Sequence, residues 1–339
     1  MAESLAVRYR PRDFSEVCGQ TSIVKILERQ IQLQEFKHVY LFTGPSGTGK
    51  TTTARILASK INGSLAGLEE LDAASNNGVD NVRSIIKQAQ ERSISSKYKI
   101  FIIDECHALS NQAWQAFLKC IEEPPEFTIF MFCTTDPQKI PATIVNRCQR
   151  YNLSKISTES IRDRLEYICK QEGYTDYQES VDYIAKISDG GARDAIATLE
   201  KVASLGTSIT IQNTLDALGA YSYEMFFTLA NNIIDGNQAG VAQIISDIHN
   251  RGNDLKLFVD SFFTFCLDVT KYCLFKSADM IGIPSSYEEA LKNSINFESA
   301  EKYYMHIVDR LLELKTMIKN DTSIKTTVEA TFLRMARWE

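Results

Sequence analysis

An eight-residue segment of this chain has the residue types and spacing of a phosphate-binding loop. Gly44 to Thr51 reads Gly-Pro-Ser-Gly-Thr-Gly-Lys-Thr and fits the pattern G-x-x-x-x-G-K-[ST]. Glycines in such a loop let backbone N–H groups turn toward phosphate oxygens, and a helix that begins directly after it adds the positive end of its dipole. Lys50 can then reach the terminal phosphates of a nucleoside triphosphate, and the Thr51 hydroxyl can ligate Mg²⁺.

Two adjacent carboxylates further along the chain suit the same chemistry. Asp104 and Glu105 end the apolar run Ile100–Ile103, where a buried strand would normally end in a neutral turn. Alone, this pattern is more often a solvated strand end, but together with the loop it favours catalysis. We expect Asp104 to hold Mg²⁺ and Glu105 to orient or deprotonate an attacking water. The predicted contacts to ATP and Mg²⁺ are Gly44, Pro45, Ser46, Gly47, Thr48, Gly49, Lys50, Thr51, Thr52 and Asp104, with Thr51 and Asp104 at the metal.

Strand and helix patterns alternate around these residues. Three apolar runs lack polar alternation, as expected of strands buried on both faces of a parallel sheet. They are Val39–Phe42, Ile100–Ile103 and Ile129–Phe132. Helical spacing of apolar residues marks the segments between and beside them. These segments are Thr51–Ile61, Val79–Gln90 and Gln112–Ile121. The alternation predicts a doubly wound α/β nucleotide-binding domain over residues 1–154.

Strand-like runs stop after Leu153, and the rest of the sequence has helical patterns. Thr158–Glu172, Val181–Ser188 and Ala192–Leu205 predict three short helices, which we assign to a small helical domain over residues 155–207. Longer helices follow from Thr210, so residues 208–339 are predicted to form an all-helical third domain.

The composition is that of a soluble globular protein. Of the 339 residues, 44% are hydrophobic and 24% charged, as is ordinary for a soluble globular chain. No segment approaches the roughly 18 apolar residues of a membrane span, and the start lacks the layout of a signal peptide, so we expect a cytoplasmic protein without membrane contact. The eight cysteines include no C-x-x-C pair and predict reduced, mostly buried thiols.

The net charge of −6 is unevenly distributed. Residues 1–150 carry 18 Lys and Arg against 16 Asp and Glu, whereas the remainder carries 19 against 27. Any contact with nucleic acid should therefore fall on the first part of the chain, or be built by several subunits together.

Eight separate stretches within residues 5–205 carry a family likeness. They are Tyr9-Arg10-Pro11, Phe14–Gln20, Leu71–Ser75, Asp104–His107, Leu118–Pro125, Thr134–Pro141, Asn146–Cys148 and Gly190–Ala195. Together they resemble the ATP-binding AAA+ subunit of the bacterial clamp loader, the gamma/tau type, and more distantly replication factor C. The resemblance implies an AAA+ P-loop NTPase domain followed by a helical lid and an all-helical collar. It also implies an ATPase that loads a sliding clamp onto DNA during replication.

The resemblance assigns further catalytic roles to single positions, beside those of Lys50, Asp104 and Glu105. Thr135 falls at the first sensor, and Arg193 falls at the second sensor on the helical lid. Arg147 falls at the arginine finger, which crosses to the ATP of the neighbouring subunit. A finger supplied by a neighbour can raise the rate of phosphoryl transfer ~10³–10⁵-fold. In this segment Asn146 replaces the serine that the family usually carries.

DNA contact in this family follows the phosphate backbone inside a spiral of subunits, which suits loading without sequence preference. The matching positions here are Arg83, Lys119, Lys139 and Thr143. Asn76 and Gly78 stand where relatives carry basic residues. For each of the four positions, a solvated helix surface is the competing interpretation.

The resemblance also implies partners. They are other clamp-loader subunits in a pentameric ring that includes copies of this chain, a sliding clamp, and primer-template DNA. We expect the clamp to contact the exposed edge at Ala108–Trp114, although packing of Trp114 in the core is an equal alternative.

One departure from the family concerns zinc. Bacterial relatives insert a cysteine-rich zinc module after the phosphate-loop helix, whereas Ile61–Leu71 contains no cysteine. Zinc needs about four nitrogen or sulfur ligands, so we predict none. The chain also ends without the long tail of tau-like forms, and this shortened plan suggests a phage or another divergent replisome, in the bacterial or host cytoplasm.

Two other functions remain as alternatives. A scaffold subunit that does not hydrolyse ATP could use the same fold for assembly alone, but Lys50, Thr51, Asp104, Glu105 and Arg147 are all present. A helicase loader or remodelling ATPase would share the loop, but the stretches Thr134–Pro141 and Leu118–Pro125 resemble clamp loaders instead.

Overall fold

The computed structural model describes residues 3–219, 221–250, 252, 254–277, 280–319, 321 and 323–337. The chain divides into two compact units. The first contains residues 3–172 together with residues 184–200, and the second contains residues 173–183 and the described residues from 201 onward. The three-domain division at residues 154 and 207 stays a prediction.

A five-stranded parallel sheet lies at the centre of the first unit. The strands are β1 (Val39–Thr43), β2 (Leu68–Asp72), β3 (Lys99–Asp104), β4 (Thr128–Thr134) and β5 (Gln149–Asn152). Their order is β2-β3-β4-β1-β5, and every neighbouring pair is parallel. The three predicted strands are confirmed as β1, β3 and β4. The edge strands β2 and β5 were not predicted, because each carries only one or two apolar residues.

Helices connect these strands and cover both faces of the sheet. The helices that begin in the first 200 residues are α1 (Leu5–Arg8), α2 (Thr21–Leu33), α3 (Lys50–Asn62), α4 (Val79–Ala89), α5 (Asn111–Glu122), α6 (Ala142–Val145), α7 (Thr158–Glu172), α8 (Gln178–Ile187) and α9 (Ala192–Ala203). All six predicted helices are confirmed, with bounds that differ by three residues at most. The helices α1 and α2 were not predicted.

Alternate residues of the central strands enter two separate cores. Ile103 and Phe132 pack on one face with Trp114 and Phe117 of α5. The neighbouring positions along the strands, such as Ile102, enter the core on the other face, which includes residues of α3. Because both faces are buried, the strands are apolar throughout, which explains the unalternating runs in the sequence.

The segment Ala108–Trp114, predicted as an exposed edge that contacts the clamp, is exposed only in part, and contact with the clamp stays a prediction. Trp114 is only 2% exposed, and Leu109 and Ala113 are also buried. Trp114 therefore packs in the core, as the alternative held, since its indole ring fills the space between α5 and the sheet. The exposed part of this segment is Ser110–Gln112.

The second unit is helical, as predicted. Its further helices are α10 (Ile211–Leu218), α11 (Tyr223–Ile234), α12 (Gln238–Asn250), α13 (Leu255–Phe275), α14 (Glu288–Ser294), α15 (Ala300–Met317) and α16 (Ile324–Met335). Aromatic rings fill its core, where Phe258 and Phe262 lie 5.8 Å and 5.7 Å from the ring of Phe332. None of the helices in the described part of the chain is long and apolar enough to cross a membrane.

The cysteines are free and mostly buried, which confirms their predicted state. Five of the eight are buried, and the other three are partly exposed. Within the ranges that the structure describes, no group of three or more His, Cys, Asp or Glu side chains is arranged to hold a metal ion. The lack of zinc stays a prediction.

Phe132→Ala should destabilise the first unit. Phe132 is fully buried, and its ring lies 5.4 Å from Trp114 and 5.6 Å from Phe117. Truncation leaves a cavity at a packed interface, so we expect a loss of about 3–5 kcal/mol in the free energy of unfolding. The measurement is urea denaturation followed by circular dichroism. The matched control is Ile94→Ala, which removes a fully exposed side chain and should change stability by no more than about 0.5 kcal/mol. Equal losses in the two variants would contradict the assignment of this core.

Candidate nucleotide-binding site

The parallel sheet brings the loop, Asp104 and Thr135 together at one edge. β1, β3 and β4 are the three central strands, and their carboxyl ends lie together because they are parallel and in register, with Thr43 opposite Thr134 and Ile103 opposite Phe132. Such edges are where open α/β sheets bind ligands. The loop Gly44–Gly49 follows β1, Asp104 ends β3, and Thr135 follows β4.

The loop depends on glycine where it meets the segment before α9. Gly47 has a φ of 72°, and a Cβ built on it would lie 2.9 Å from the Cα atom of Gly191. The backbone N–H of Ala192 donates a hydrogen bond of 3.1 Å to the carbonyl of Gly47. The loop and the start of α9 are therefore packed backbone against backbone.

Lys50 is a buried cation at the first position of α3. Its ammonium group donates to the carbonyls of Gly44 at 3.0 Å and Pro45 at 2.8 Å. Burial lowers the pKa of Lys50, since it disfavours the charged form, while the negative charges of Glu105 and Asp104 oppose this shift. The loop carbonyls thus hold the ammonium group inside the curve of the loop, where a phosphate-binding lysine acts.

Thr51 and Asp104 form a direct bridge between the loop helix and β3. The Thr51 hydroxyl donates a hydrogen bond of 2.7 Å to Oδ2 of Asp104, and Oδ1 of Asp104 accepts from the backbone N–H of Glu105 at 3.0 Å. Mg²⁺ prefers oxygen ligands and takes few of them from the protein when phosphates supply the rest. A hydroxyl beside a carboxylate at the mouth of the loop fits that requirement.

Glu105 is held by the residues that follow β4. Its backbone is in the left-handed region, with a φ of 44°. Oε2 of Glu105 accepts a hydrogen bond of 3.0 Å from the Thr135 hydroxyl, and it lies 3.2 Å from Nδ1 of His107. Nδ1 of His107 is also 3.1 Å from the Thr134 hydroxyl oxygen. The structure therefore brings Thr135 to Glu105, and it adds His107, for which the sequence predicted no role.

One pocket contains most of the predicted nucleotide contacts. Its walls include Ser46–Thr52, Asp104 and Glu105, and Arg193 at the second position of α9. The side chain of Arg193 is exposed and has no ion-pair partner among the residues that the structure describes. The loop, both carboxylates and the predicted second sensor thus share one cavity within the first unit.

The pocket also has a wall that the sequence did not predict. This wall is formed mainly by the N-terminal segment and by residues near the helices α7 and α9. It contains Val7, Tyr9, Arg10, Pro11, Val17, Cys18, Ile156, Arg164 and Ile196. The apolar members offer a surface on which the base of a nucleotide can pack. Tyr9-Arg10-Pro11 belongs to the family-like stretches, but no spacing rule linked it to a loop so far along the chain.

Arg147 lies elsewhere in the first unit. Its guanidinium donates a hydrogen bond of 2.7 Å to the carbonyl of Thr143 and lies 2.6 Å from Oε1 of Glu122. It does not line the pocket of its own chain. Its predicted role at a neighbour's nucleotide stays a prediction.

The four predicted DNA contacts are all exposed. Arg83 on α4 pairs with Asp80 at 3.1 Å, and Lys139 pairs with Asp136 at 3.2 Å. Lys119 lies in the last turn of α5, and Thr143 lies on α6. Surface ion pairs of this kind are weak and leave the cations accessible to phosphate. Contact with DNA stays a prediction.

Known proteins share both sequence and fold with this chain. Residues 66–157 match the family model described as DNA polymerase III, delta subunit. The chain is 37% identical over 280 residues to the DNA polymerase III subunit tau of Bacillus subtilis, across 76% of this chain and 50% of the relative. It is 29% identical over 329 residues to the DNA polymerase III subunit gamma/tau of Mycoplasma genitalium, across 90% of this chain and 54% of the relative. The chain therefore spans about half the length of these relatives.

A solved structure shows the same fold at lower identity. The RuvB Holliday junction branch migration motor of Thermotoga maritima superposes with a TM-score of 0.52 at 20% identity. The match covers 67% of this chain and 80% of that chain. At this level of identity the likeness shows the AAA+ fold alone.

Gly47→Ala should weaken nucleotide binding. A methyl group at Gly47 would press on the backbone of Gly191 at 2.9 Å, and the φ of 72° is unfavourable for alanine. The loop must shift, so we expect at least a tenfold, or about 1.4 kcal/mol, loss of affinity for a fluorescent ATP analogue. The control is Gly78→Ala, where an added Cβ meets nothing within 4 Å. The same affinity in both variants would show that the loop tolerates the change.

Proposed function

The chain belongs to the family of the DNA polymerase III gamma/tau subunits, and we propose that it is an ATP-hydrolysing subunit of a clamp loader. In this proposal it acts in the cytoplasm within a pentameric ring, binds ATP and Mg²⁺, and helps to open a sliding clamp and load it onto primer-template DNA. The observation that carries the proposal is the contact of Thr51 with Asp104 at 2.7 Å, in one pocket with Lys50, Glu105 and Arg193.

Each polar side chain of the pocket has a role in this mechanism. The loop amides and Lys50 bind the phosphates, and Thr51 with Asp104 would hold Mg²⁺, which neutralises charge on the β- and γ-phosphates when bound. Glu105 accepts a proton from the attacking water or orients it. Thr135 positions Glu105 through the hydrogen bond of 3.0 Å, and Arg193 would contact the phosphates from the start of α9.

Hydrolysis depends on assembly in this proposal. Arg147 is absent from the pocket of its own chain and exposed on the surface, 38% accessible, beside Glu122. Such a position suits an arginine that completes the pocket of the next subunit. Arg83, Lys119, Lys139 and Thr143 would then follow the phosphate backbone of DNA, which requires no base-specific contact.

Lys50→Ala and Glu105→Gln should separate binding from hydrolysis. Lys50→Ala removes a phosphate contact, so it should lose both ATP binding and clamp binding. Glu105→Gln keeps the loop, Thr51 and Asp104, so it should bind ATP and the clamp but hydrolyse ATP at least about 100-fold more slowly, as expected for loss of a general base. Fluorescence titration and a clamp- and DNA-stimulated phosphate-release assay give these results. Full ATP affinity in Lys50→Ala, or normal turnover in Glu105→Gln, would contradict the proposed roles.

Arg147→Ala should act only on the assembled complex. The isolated variant should bind ATP normally, whereas DNA-stimulated hydrolysis by the ring should fall by about 10³-fold or more. Glu122→Gln is the matched control, because it removes the ion pair at 2.6 Å and keeps the arginine. A surface ion pair contributes only about 0–1 kcal/mol, so this control should remain active. Wild-type hydrolysis by Arg147→Ala in the complex would mean that Arg147 forms only a surface salt bridge. An equal loss of hydrolysis in Glu122→Gln would mean that the ion pair acts by maintaining the local structure.

A further inference from the structure

A second recess of the first unit adjoins the nucleotide pocket and is rich in arginine. Arg8, Arg10, Arg12 and Arg164 line it, against the two carboxylates Glu16 and Asp163. The whole chain has a net charge of −6. The positive excess in this recess therefore does not follow from a basic composition but is a local arrangement of side chains.

Two of the four arginines are held in place by neighbours. Arg8 pairs with Glu172 at 2.8 Å. Arg164 donates to the carbonyl of Tyr9, and its guanidinium lies 5.3 Å from the ring centre of Tyr167. A guanidinium has five N–H donors, so Arg164 keeps several for a further acceptor. These contacts fix the N-terminal segment against α7 and give the recess a defined wall.

The other two arginines have no ion-pair partner in the part of the chain that the structure describes. Arg10 is half-buried and Arg12 is exposed. Asp13, which follows Arg12 in the sequence, pairs with Lys60, and Glu16 accepts a hydrogen bond of 3.0 Å from the backbone N–H of Arg12. Because neither guanidinium is held in an ion pair, both are available to an anion in the recess.

We propose that this recess binds a diphosphate group, either as free pyrophosphate or as the phosphate end of a nucleotide separate from the one in the loop. Planar guanidinium groups bind phosphate oxygens in pairs, and several around one recess suit an anion with more than one phosphate. The site is distinct from the loop because Arg8 and Arg12 do not line the nucleotide pocket, whereas Arg10 and Arg164 line both. The proposal stands independently of ATP hydrolysis.

Isothermal titration with pyrophosphate in buffer free of Mg²⁺ tests the site. The whole chain that carries Lys50→Ala, measured without nucleotide, excludes binding at the loop. We expect about one pyrophosphate bound per chain in this sample. Failure of ATP binding would leave this result unchanged, so the two proposals can fail separately.

Substitutions locate the bound anion. Arg12→Gln, made in the Lys50→Ala background, should weaken pyrophosphate binding about tenfold, as expected for one charge-assisted contact. Arg29→Gln in the same background is the control, since Arg29 is an exposed arginine of α2 that does not line the recess. Circular dichroism checks that both variants are folded.

The outcomes are decisive in each direction. Guanosine diphosphate that competes with pyrophosphate and binds more tightly identifies a nucleotide as the ligand, and equal affinity identifies the free anion. Absence of pyrophosphate binding to the Lys50→Ala chain, or equal effects of Arg12→Gln and Arg29→Gln, would overturn the proposal. So would an oligoglutamate peptide that binds at Arg12 while pyrophosphate does not, because the recess would then recognise an acidic protein segment.

Discussion

Burial of a parallel sheet on both faces is the constraint on which the site depends. Ile102 and Ile103 are neighbours in β3, yet they enter different cores, and the same alternation runs through β1 and β4. In strands buried in this way, polar site residues can occur only at the ends, where the chain reaches solvent. Since the strands are parallel, their carboxyl ends share one edge, and residues far apart in the sequence meet there.

At that edge, charged side chains are held by neutral hydrogen-bonding groups. Lys50 donates to two loop carbonyls, Asp104 accepts from Thr51 and a backbone N–H, and Glu105 accepts from Thr135. Partly buried charges need such partners. Because the partners are mostly neutral and fixed by the backbone, they orient the charges without cancelling them, as a site for a charged ligand requires.

One chain supplies most of the predicted site residues of its own pocket, but not the predicted arginine finger. The loop, both carboxylates and Arg193 belong to one pocket, while Arg147 is tied to Glu122 and Thr143 away from it. In the proposed clamp loader, this separation links ATP turnover to the ring, because each pocket would need an arginine from a neighbour. The basic recess beside the pocket shares Arg10 and Arg164 with it, so an anion bound there would touch the same N-terminal segment that lines the nucleotide site.

The sequence alone determined the central strands, the helices that follow them, and the residues at their ends. Strands buried on both faces appear in the sequence as unbroken apolar runs. The loop Gly44–Thr51 has a spacing of glycines, lysine and threonine that is specific to phosphate-binding loops. The edge strands β2 and β5 left no such signal, because an edge strand has one neighbour and carries polar residues such as Glu69 and Glu70.

Only the tertiary structure decided which distant segments meet. It buried Trp114, which the sequence left open between core and surface, because space between α5 and the sheet had to be filled. It brought Tyr9 and Arg10 to a loop that lies more than thirty residues further along the chain, and it joined His107 and Thr135 to Glu105. Periodicity and motif spacing describe neighbours along the chain, whereas these contacts arise from the packing of elements on a common sheet, which no local pattern records.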